Sequence, residues 1–309
     1  MCTRLEDLPN ELFLHLFIYF DIRSLHRCFW GLNHRFNNLL GLVNNLSLVV
    51  EGNDSLLIDL FARQIHRLKI PTSRSIDLSQ FSNVRTLELL QASDVQLEQI
   101  RSDLMPNLVQ LSITAPILLV SLPLVLIEDI FSNAFRYLEQ AKLPRFDHLP
   151  LAFNSQAPSI RVLTIRCVDT NIIPRVLIIC PNLSSFNVTF FGQNRHILPP
   201  VSSTYNHQLQ KFILNDPYHK LTFETIDILF LYIPNVKYLS LFFQCRRSFL
   251  DLINSILTRL EHLIEFNCEI LESPNDHMIE LENIQQMHQC FHSLQCVEQH
   301  NNHRLFFTE

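Results

Sequence analysis

The C-terminal end of the sequence has the densest group of side chains that could bind a metal ion. Histidine and cysteine are the usual ligands of zinc, and they stand here at His288, Cys290, His292, Cys296, His300 and His303. Their spacings match no common zinc-site pattern, and Cys290 also fits the apolar side of a final structural repeat. The sequence therefore predicts no metal and no cofactor, which elemental analysis would test.

Glycine is scarce, and this argues against several classes of enzyme. The chain has four glycines, which are not clustered: Gly31, Gly41, Gly52 and Gly192. Phosphate-binding loops and the nucleophile elbows of hydrolases need clustered glycines, because only glycine lets the backbone come so close to a ligand. Nor does the spacing of any nucleophile, base and orienting group bring them together. We expect no intrinsic catalytic activity.

The composition is that of a folded protein. Of 309 residues, 47% are hydrophobic and 17% are charged, which is too apolar for a disordered chain. The net charge of −6 creates no general attraction to nucleic acid or to anionic lipid. The longest apolar run, 117–127, is far shorter than the roughly 20 residues of a membrane-spanning helix. We expect neither a nucleic-acid nor a membrane partner.

Cysteine usage indicates a reducing compartment. Most of the eight cysteines have apolar neighbours, which is typical of small buried side chains. The first residues show no basic stretch followed by an apolar segment, so we expect no signal peptide. These features predict an intracellular protein, either cytoplasmic or nuclear, and disfavour the alternative of an extracellular recognition repeat.

Residues 5–40 predict three short helices joined by tight turns. Asp7 is expected to cap the first helix, with Pro9 in its early turn, and Asp21 and Asn33 to cap the second and third. Apolar residues recur at helical spacing along the first: Leu8, Leu12, Leu16, Phe17 and Phe20. Three short helices cannot bury so wide a stripe among themselves, so something else should cover the remainder.

This segment resembles an F-box. The family pattern begins Leu-Pro-x-Glu, as 8–11 does here, and continues with aliphatic residues at helical spacing, a Leu-Asp-x-x-x-Leu-like turn at 20–25 and a basic-aromatic pair at Arg35 and Phe36. Phe36 stands where the family commonly has tryptophan. The resemblance implies docking to the adaptor subunit of an SCF-type ubiquitin ligase and, through it, to a cullin. The implied adaptor-binding residues are Leu8, Pro9, Leu12, Leu16, Phe17, Leu25 and Phe36. The alternative is a helical cap on the domain that follows.

The remaining residues repeat with a period of about 26. Four segments share the form Pro, Asn or Ser, aliphatic, two variable residues, then Leu or Phe, and their prolines lie 52, 23 and 53 residues apart. An aliphatic position marks each unit, with intervals of 19 to 31 residues: Ile65, Val84, Leu108, Leu138, Ile160, Leu183, Leu209, Val236, Leu263 and Leu294. Each unit predicts a short strand and then a helical stretch, such as 94–104.

These repeats resemble leucine-rich repeats, in an irregular form. The predicted fold class is α/β, with an F-box-like helical domain at 1–48 and an irregular leucine-rich-repeat solenoid at 49–309. Parallel strands would line its concave face and helices its convex face. A non-repetitive α/β domain is the alternative. With the F-box, the resemblance implies a non-catalytic receptor that binds a protein substrate, and the rival function is an interaction scaffold with no ubiquitin role.

The substrate would contact side chains that alternate with the buried strand residues. Most of these positions are polar, but Tyr238 and Phe242 form an aromatic patch, with Arg166 further along the predicted sheet and Arg246 just past their strand. Tyrosine and arginine are enriched among residues that carry binding energy at interfaces. We predict substrate binding at Arg166, Tyr238, Phe242 and Arg246.

Overall fold

The computed structural model describes residues 7–52, 54–72, 76–114, 122–145, 156–192, 207–273, 281–299 and 303–308. The chain divides into two compact units: Met1–Ile130 with Ala134–Leu138, and Phe131–Asn133 with Glu139–Glu309. The described residues include ten α-helices and twelve strands, so the α/β class is confirmed. None of the described helices is long and apolar enough to cross a membrane.

The first unit begins with three helices and continues with a parallel sheet. Its helices are α1 (Asn10–Phe17), α2 (Ile22–Phe29), α3 (His34–Leu42), α4 (Ser55–Phe61), α5 (Asp94–Gln99) and most of α6 (Leu124–Phe131). Its strands are β1 (Leu46–Val49), β2 (Ile65–Ile70), β3 (Thr86–Leu89) and β4 (Gln110–Ile113), which pair in chain order and in parallel. The helices α1 to α3 thus share a compact unit with β1 to β4, and the predicted domain boundary at residue 48 stays a prediction.

The second unit repeats the strand-helix alternation. Its strands are β5 (Gln140–Arg145), β6 (Val162–Cys167), β7 (Ser185–Phe190), β8 (Lys211–Asn215), β9 (Tyr238–Cys245), β10 (Glu265–Glu272), β11 (Leu294–Glu298) and β12 (Arg304–Thr308). Its helices are α7 (Ile172–Ile179), α8 (Phe223–Tyr232), α9 (Phe249–Arg259) and α10 (Leu281–Met287). The strands β5 to β10 pair in chain order and in parallel.

The ten aliphatic positions that mark the predicted repeats are all buried. Nine precede or begin a parallel strand: Leu108, for example, lies two residues before β4, and Leu183 two before β7. The tenth, Leu294, begins β11, which is antiparallel to β12, and β12 in turn lies antiparallel between β10 and β11. Neither β1 nor β12 was predicted from the sequence.

Local sequence accounts for most helix starts. Asp21 and Asn33 cap α2 and α3 as predicted, accepting hydrogen bonds from the N–H groups of Ser24 at 2.7 Å and Phe36 at 3.0 Å. The prediction for α1 was wrong: Pro9 itself is the N-cap, in an extended conformation, and makes no side-chain cap. The helix predicted at 94–104 begins at Asp94, where Ser93 and Gln96 form a capping box. It ends at Gln99, five residues earlier than predicted.

One glycine is required by a close approach of two backbone segments. A β-carbon on Gly192, just after β7, would lie 1.7 Å from the carbonyl oxygen of Val168, just after β6. Only glycine permits that contact. It draws together the segments that follow the neighbouring strands β6 and β7.

Candidate functional site

The helix α1 has apolar residues on two sides, and only one side is buried. Phe13 and Phe17 are buried, whereas Leu12 is 52% exposed and Leu16 is 41% exposed. Residues four apart lie on the same face of a helix, so Leu12 and Leu16 form a pair about 100° around the helix from the buried phenylalanines. Tyr19, three residues beyond Leu16, is also exposed. We call Pro9, Leu12, Leu16 and Tyr19 the α1 stripe.

Three of the seven predicted adaptor-binding residues lie inside the three-helix unit. Phe17, Leu25 and Phe36 are buried in the free chain. The ring of Phe13 meets that of Phe36 edge to face at 4.9 Å, and the Phe17 and Phe29 centroids are 4.8 Å apart. These side chains hold the helices together and are inaccessible to a partner. Leu8 is half-buried, and Pro9, Leu12 and Leu16 are exposed.

Arg35 fixes the start of α1. Its Nε donates a hydrogen bond to Asn10 Oδ1 at 2.7 Å, and its Nη2 donates to the carbonyl oxygen of Leu8. Its guanidinium also lies 5.5 Å from the centroid of the Phe13 ring. The basic-aromatic pair of the sequence thus links α3 to the first turn of α1, which positions Leu8 and Pro9.

A second arginine attaches the helices to the sheet of the first unit. Arg23 donates from Nη2 to the carbonyl oxygen of Val49 at 2.6 Å and to Asp54 Oδ2 at 2.9 Å. Burial raises the pKa of Asp54, but hydrogen bonds from the Glu51 N–H and from Arg23 outweigh it, so the pKa lies below its ordinary value. This ion pair sets α2 against β1.

In the second unit, the predicted strand face is confirmed by the register. One row of side chains crosses the sheet through Cα partners: Arg166 on β6, Thr189 on β7, Asn215 on β8, Phe242 on β9, Glu269 on β10 and Phe307 on β12. The residues between them along each strand are buried.

The four predicted substrate-binding residues share this unit but do not form a single cluster. Three strand spacings of about 4.8 Å put Arg166 roughly 14 Å from Phe242, and four residues of β9 put Tyr238 roughly 13 Å from it. Arg246 is exposed just after β9. Only Phe242 lines the cleft described below.

Arg166 belongs to an aromatic group that the sequence analysis missed. Its guanidinium lies 5.9 Å from the centroid of Phe191, and the Phe191 and Tyr218 rings are 5.4 Å apart. Phe191 follows β7 directly, and Tyr218 lies three residues after β8. The carboxyl ends of parallel strands meet at one edge of a sheet. Aromatic residues just beyond two neighbouring strands could therefore have predicted this contact.

A cleft opens beside this group. Its volume of about 390 Å³ is in the size range of ligand sites. We call it the β8–β10 cleft. Its lining comprises Asn215, Asp216, Pro217, His219, Phe242, Phe243, Glu269, Leu271, Gln299 and Leu305. A turn after β8 forms one wall of the cleft. Within this turn, the His219 N–H donates a hydrogen bond to the carbonyl oxygen of Asp216 at 3.2 Å. The cleft was not predicted from the sequence.

The described residues contain no group of three or more His, Cys, Asp or Glu side chains that could hold a metal ion. His288 Nδ1 lies 3.0 Å from Cys290 Sγ, and His300 lies outside the described residues. Burial raises the pKa of Cys180 to about 12 and those of Cys245 and Cys290 to about 11. These thiols stay protonated and pack as small apolar groups.

No protein-family model matches this chain, and no curated protein matches its sequence.

Proposed function

We propose that this protein is a non-catalytic substrate-receptor subunit of an SCF-type ubiquitin ligase. In this proposal α1 to α3 form an F-box that docks the adaptor subunit, and the remaining strands and helices form an irregular leucine-rich-repeat solenoid that binds a substrate protein. The ligase chemistry belongs to partner subunits. This chain contributes proximity by holding the substrate near the ubiquitin donor.

One observation carries the proposal: the α1 stripe is exposed beside a complete aromatic core. Leu12 and Leu16 leave a large apolar area in water, although Phe13 and Phe17 already fill the space between the helices. Exposed apolar patches with a polar rim mark interaction sites. Glu11 and His15 flank these leucines and are exposed. An adaptor groove that accepts an apolar helix face suits this arrangement.

The repeat architecture is supported by the order of the strands. In each unit, parallel strands follow one another in chain order, and helices lie between many of them. That order, with buried aliphatic residues two positions before most strands, is the behaviour of stacked units that each contact only their neighbours.

The rival function, a repeat scaffold with no ubiquitin role, is favoured by one observation. Phe17, Leu25 and Phe36 serve the helix core, so a partner can reach only part of the family pattern. Three helices that only cap the following strands would need the same three buried residues for their own core. The two functions differ in whether anything binds the α1 stripe.

The test is capture of the purified adaptor subunit by the full chain. We compare the wild type with the double variant Leu12→Asp and Leu16→Asp, and with the control Ile178→Asp, an equally exposed aliphatic position on α7. Buried interface anchors contribute about 2 kcal/mol or more each. We expect capture by the wild type and the control, and loss of capture by the double variant.

Circular dichroism must show that all three proteins are folded. Failure of the folded wild type to capture the adaptor overturns the proposal. Equal capture by the double variant also overturns the assignment of the α1 stripe.

A further inference from the structure

The β8–β10 cleft lies on the row of side chains that crosses the sheet, and Asn215, Phe242 and Glu269 of that row line it. In the row across the sheet, Glu269 on β10 stands between Phe242 on β9 and Phe307 on β12, and Asn215 follows Phe242 on the other side. Glu269 is exposed, and the two phenylalanines are half-buried. A carboxylate therefore stands between two aromatic residues, and the backbone of each lies on a neighbouring strand about 5 Å away.

The lining of the cleft is negatively charged. It includes the carboxylates of Asp216 and Glu269, and no lysine or arginine among the described lining residues. The described residues place no ion-pair partner within reach of Glu269. This carboxylate therefore has its charge available to a ligand.

Asp216 adds a buried carboxyl group to the lining of the cleft. It is 1% exposed, and its Oδ2 accepts hydrogen bonds from the N–H groups of Lys220 and Leu221, both at 2.6 Å. Its Oδ1 is buried and has no hydrogen-bond partner in the described part of the chain. A buried acceptor without a donor is costly, and its negative potential favours a cation nearby.

The aromatic side chains select an organic cation over a metal ion. Phenylalanine faces attract ammonium and guanidinium groups but supply no metal ligand. The described residues also contain no cluster of three potential metal ligands. The apolar walls, Pro217, Leu271 and Leu305, suit the aliphatic stem of a long basic side chain.

We propose that the β8–β10 cleft binds an arginine or lysine side chain presented by a segment of another protein. The stem would pack against Phe242 and Leu271, and the cationic head would lie beside Glu269. In the receptor proposed above, this basic side chain would belong to the substrate protein. The role of the cleft in ubiquitin transfer rests on that proposed function, but the binding itself does not.

The test uses fluorescein-labelled peptides of the form Gly-Ser-Leu-Xaa-Leu-Ser-Gly, where Xaa is arginine, lysine, citrulline or glutamate. Citrulline keeps the shape of arginine without its charge. Fluorescence anisotropy with the full chain measures binding at low and at high salt. We expect the arginine and lysine peptides to bind, citrulline to bind about fivefold more weakly, and binding to weaken with salt.

Two variants assign that binding to the cleft. Glu269→Gln should weaken the arginine peptide about fivefold, and Phe242→Leu about threefold. The matched control is Glu265→Gln, which removes the same charge from the same face of the same strand, four residues away. It should leave binding unchanged.

Three results would each overturn the inference: no binding of the arginine and lysine peptides, equal binding of citrulline, or equal effects of Glu269→Gln and Glu265→Gln. Adaptor capture is measured on the same protein samples. A chain that captures the adaptor but ignores the basic peptides disproves this inference alone, and the reverse result disproves the proposed function alone.

Discussion

Glu272 is a buried carboxylate that joins three elements of the second compact unit. It is 1% exposed at the end of β10. Its Oε2 lies 2.5 Å from Arg304 Nη2 and accepts a hydrogen bond from Arg304 Nε at 2.6 Å, while its Oε1 accepts one from the Phe249 N–H at 2.8 Å. It therefore ties β12 and the start of α9 to β10. The ring of Phe306 stacks on Phe249 at 4.0 Å beside this ion pair.

Replacing Glu272 with glutamine should be strongly destabilising. The change removes the negative charge of Glu272 from beside the guanidinium of Arg304, whose side chain is only 12% exposed. Removing one partner of a buried ion pair costs about 3–5 kcal/mol. Urea unfolding of the wild type and Glu272→Gln, followed by circular dichroism, measures the loss of unfolding free energy.

The control for this prediction is an ion pair on the surface of the same unit. Glu224 Oε1 lies 2.6 Å from Arg247 Nη2, but both side chains are more than half exposed. Glu224→Gln should cost less than about 1 kcal/mol, because water screens such pairs. Equal losses in the two variants would show that burial does not determine the contribution of Glu272.

At the scale of elements, the helices of the first unit depend on their caps. Asp21 supplies Oδ1 to the Ser24 N–H at the start of α2. That hydrogen bond, more than any other interaction, lowers the pKa of Asp21 from its ordinary value of 3.8, with further help from the Ser24 side chain and from Arg23. The carboxylate form is therefore favoured in the folded protein.

Asp21→Ala should destabilise the protein by about 1 kcal/mol, the usual contribution of an N-cap. Because the folded pKa is lowered, this contribution is present above pH 3.8 and is lost as the pH falls through the lower folded value. The difference in unfolding free energy between wild type and variant should thus shrink on acidification. Asp21→Asn, which keeps an acceptor oxygen, should lose less at neutral pH. A loss in Asp21→Ala that does not change between neutral and acidic pH would contradict this account.

The strand positions were predictable because burial alternates along each strand and recurs with each repeat. Leu183 and Val236, for instance, precede strands whose outward residues the alternation identified. The start of α1 was not predictable, since an extended Pro9 occupies the N-cap. The proline ring fixes φ but leaves ψ to the surrounding chain. Nor was β12 predictable, because local sequence does not show that a last strand returns antiparallel beside β10.

The candidate surfaces were only partly predictable for the same reason. Leu12 and Phe17 have similar hydrophobicity, and the packing of three helices decides which of them is buried. Phe242 and Glu269 stand 27 residues apart in sequence, and only the register of β9 with β10 makes them neighbours. Alternation predicted that Phe242 faces outward, but the cleft also needs Glu269 and Leu305, which were not predicted.

At the scale of the whole molecule, the two proposed binding surfaces belong to different compact units. The α1 stripe lies in the first unit, and the β8–β10 cleft lies in the second. No residue contributes to both. A substrate receptor needs this arrangement, because it must hold the adaptor and the substrate at the same time.

Variants in the two units should therefore separate the two binding functions. Leu12→Asp with Leu16→Asp should abolish adaptor capture and leave the affinity for the arginine peptide unchanged. Glu269→Gln should weaken binding of the arginine peptide about fivefold and leave adaptor capture unchanged. Independent sites do not influence one another by more than about 0.5 kcal/mol, so the combined variant should show each defect at the size seen in the corresponding single-site variant. Adaptor capture and peptide anisotropy on the same protein samples measure both effects. A change in peptide affinity caused by the α1 variants would instead reveal a coupling free energy between the units, and the same coupling would have to appear as a change in adaptor affinity when the peptide is bound.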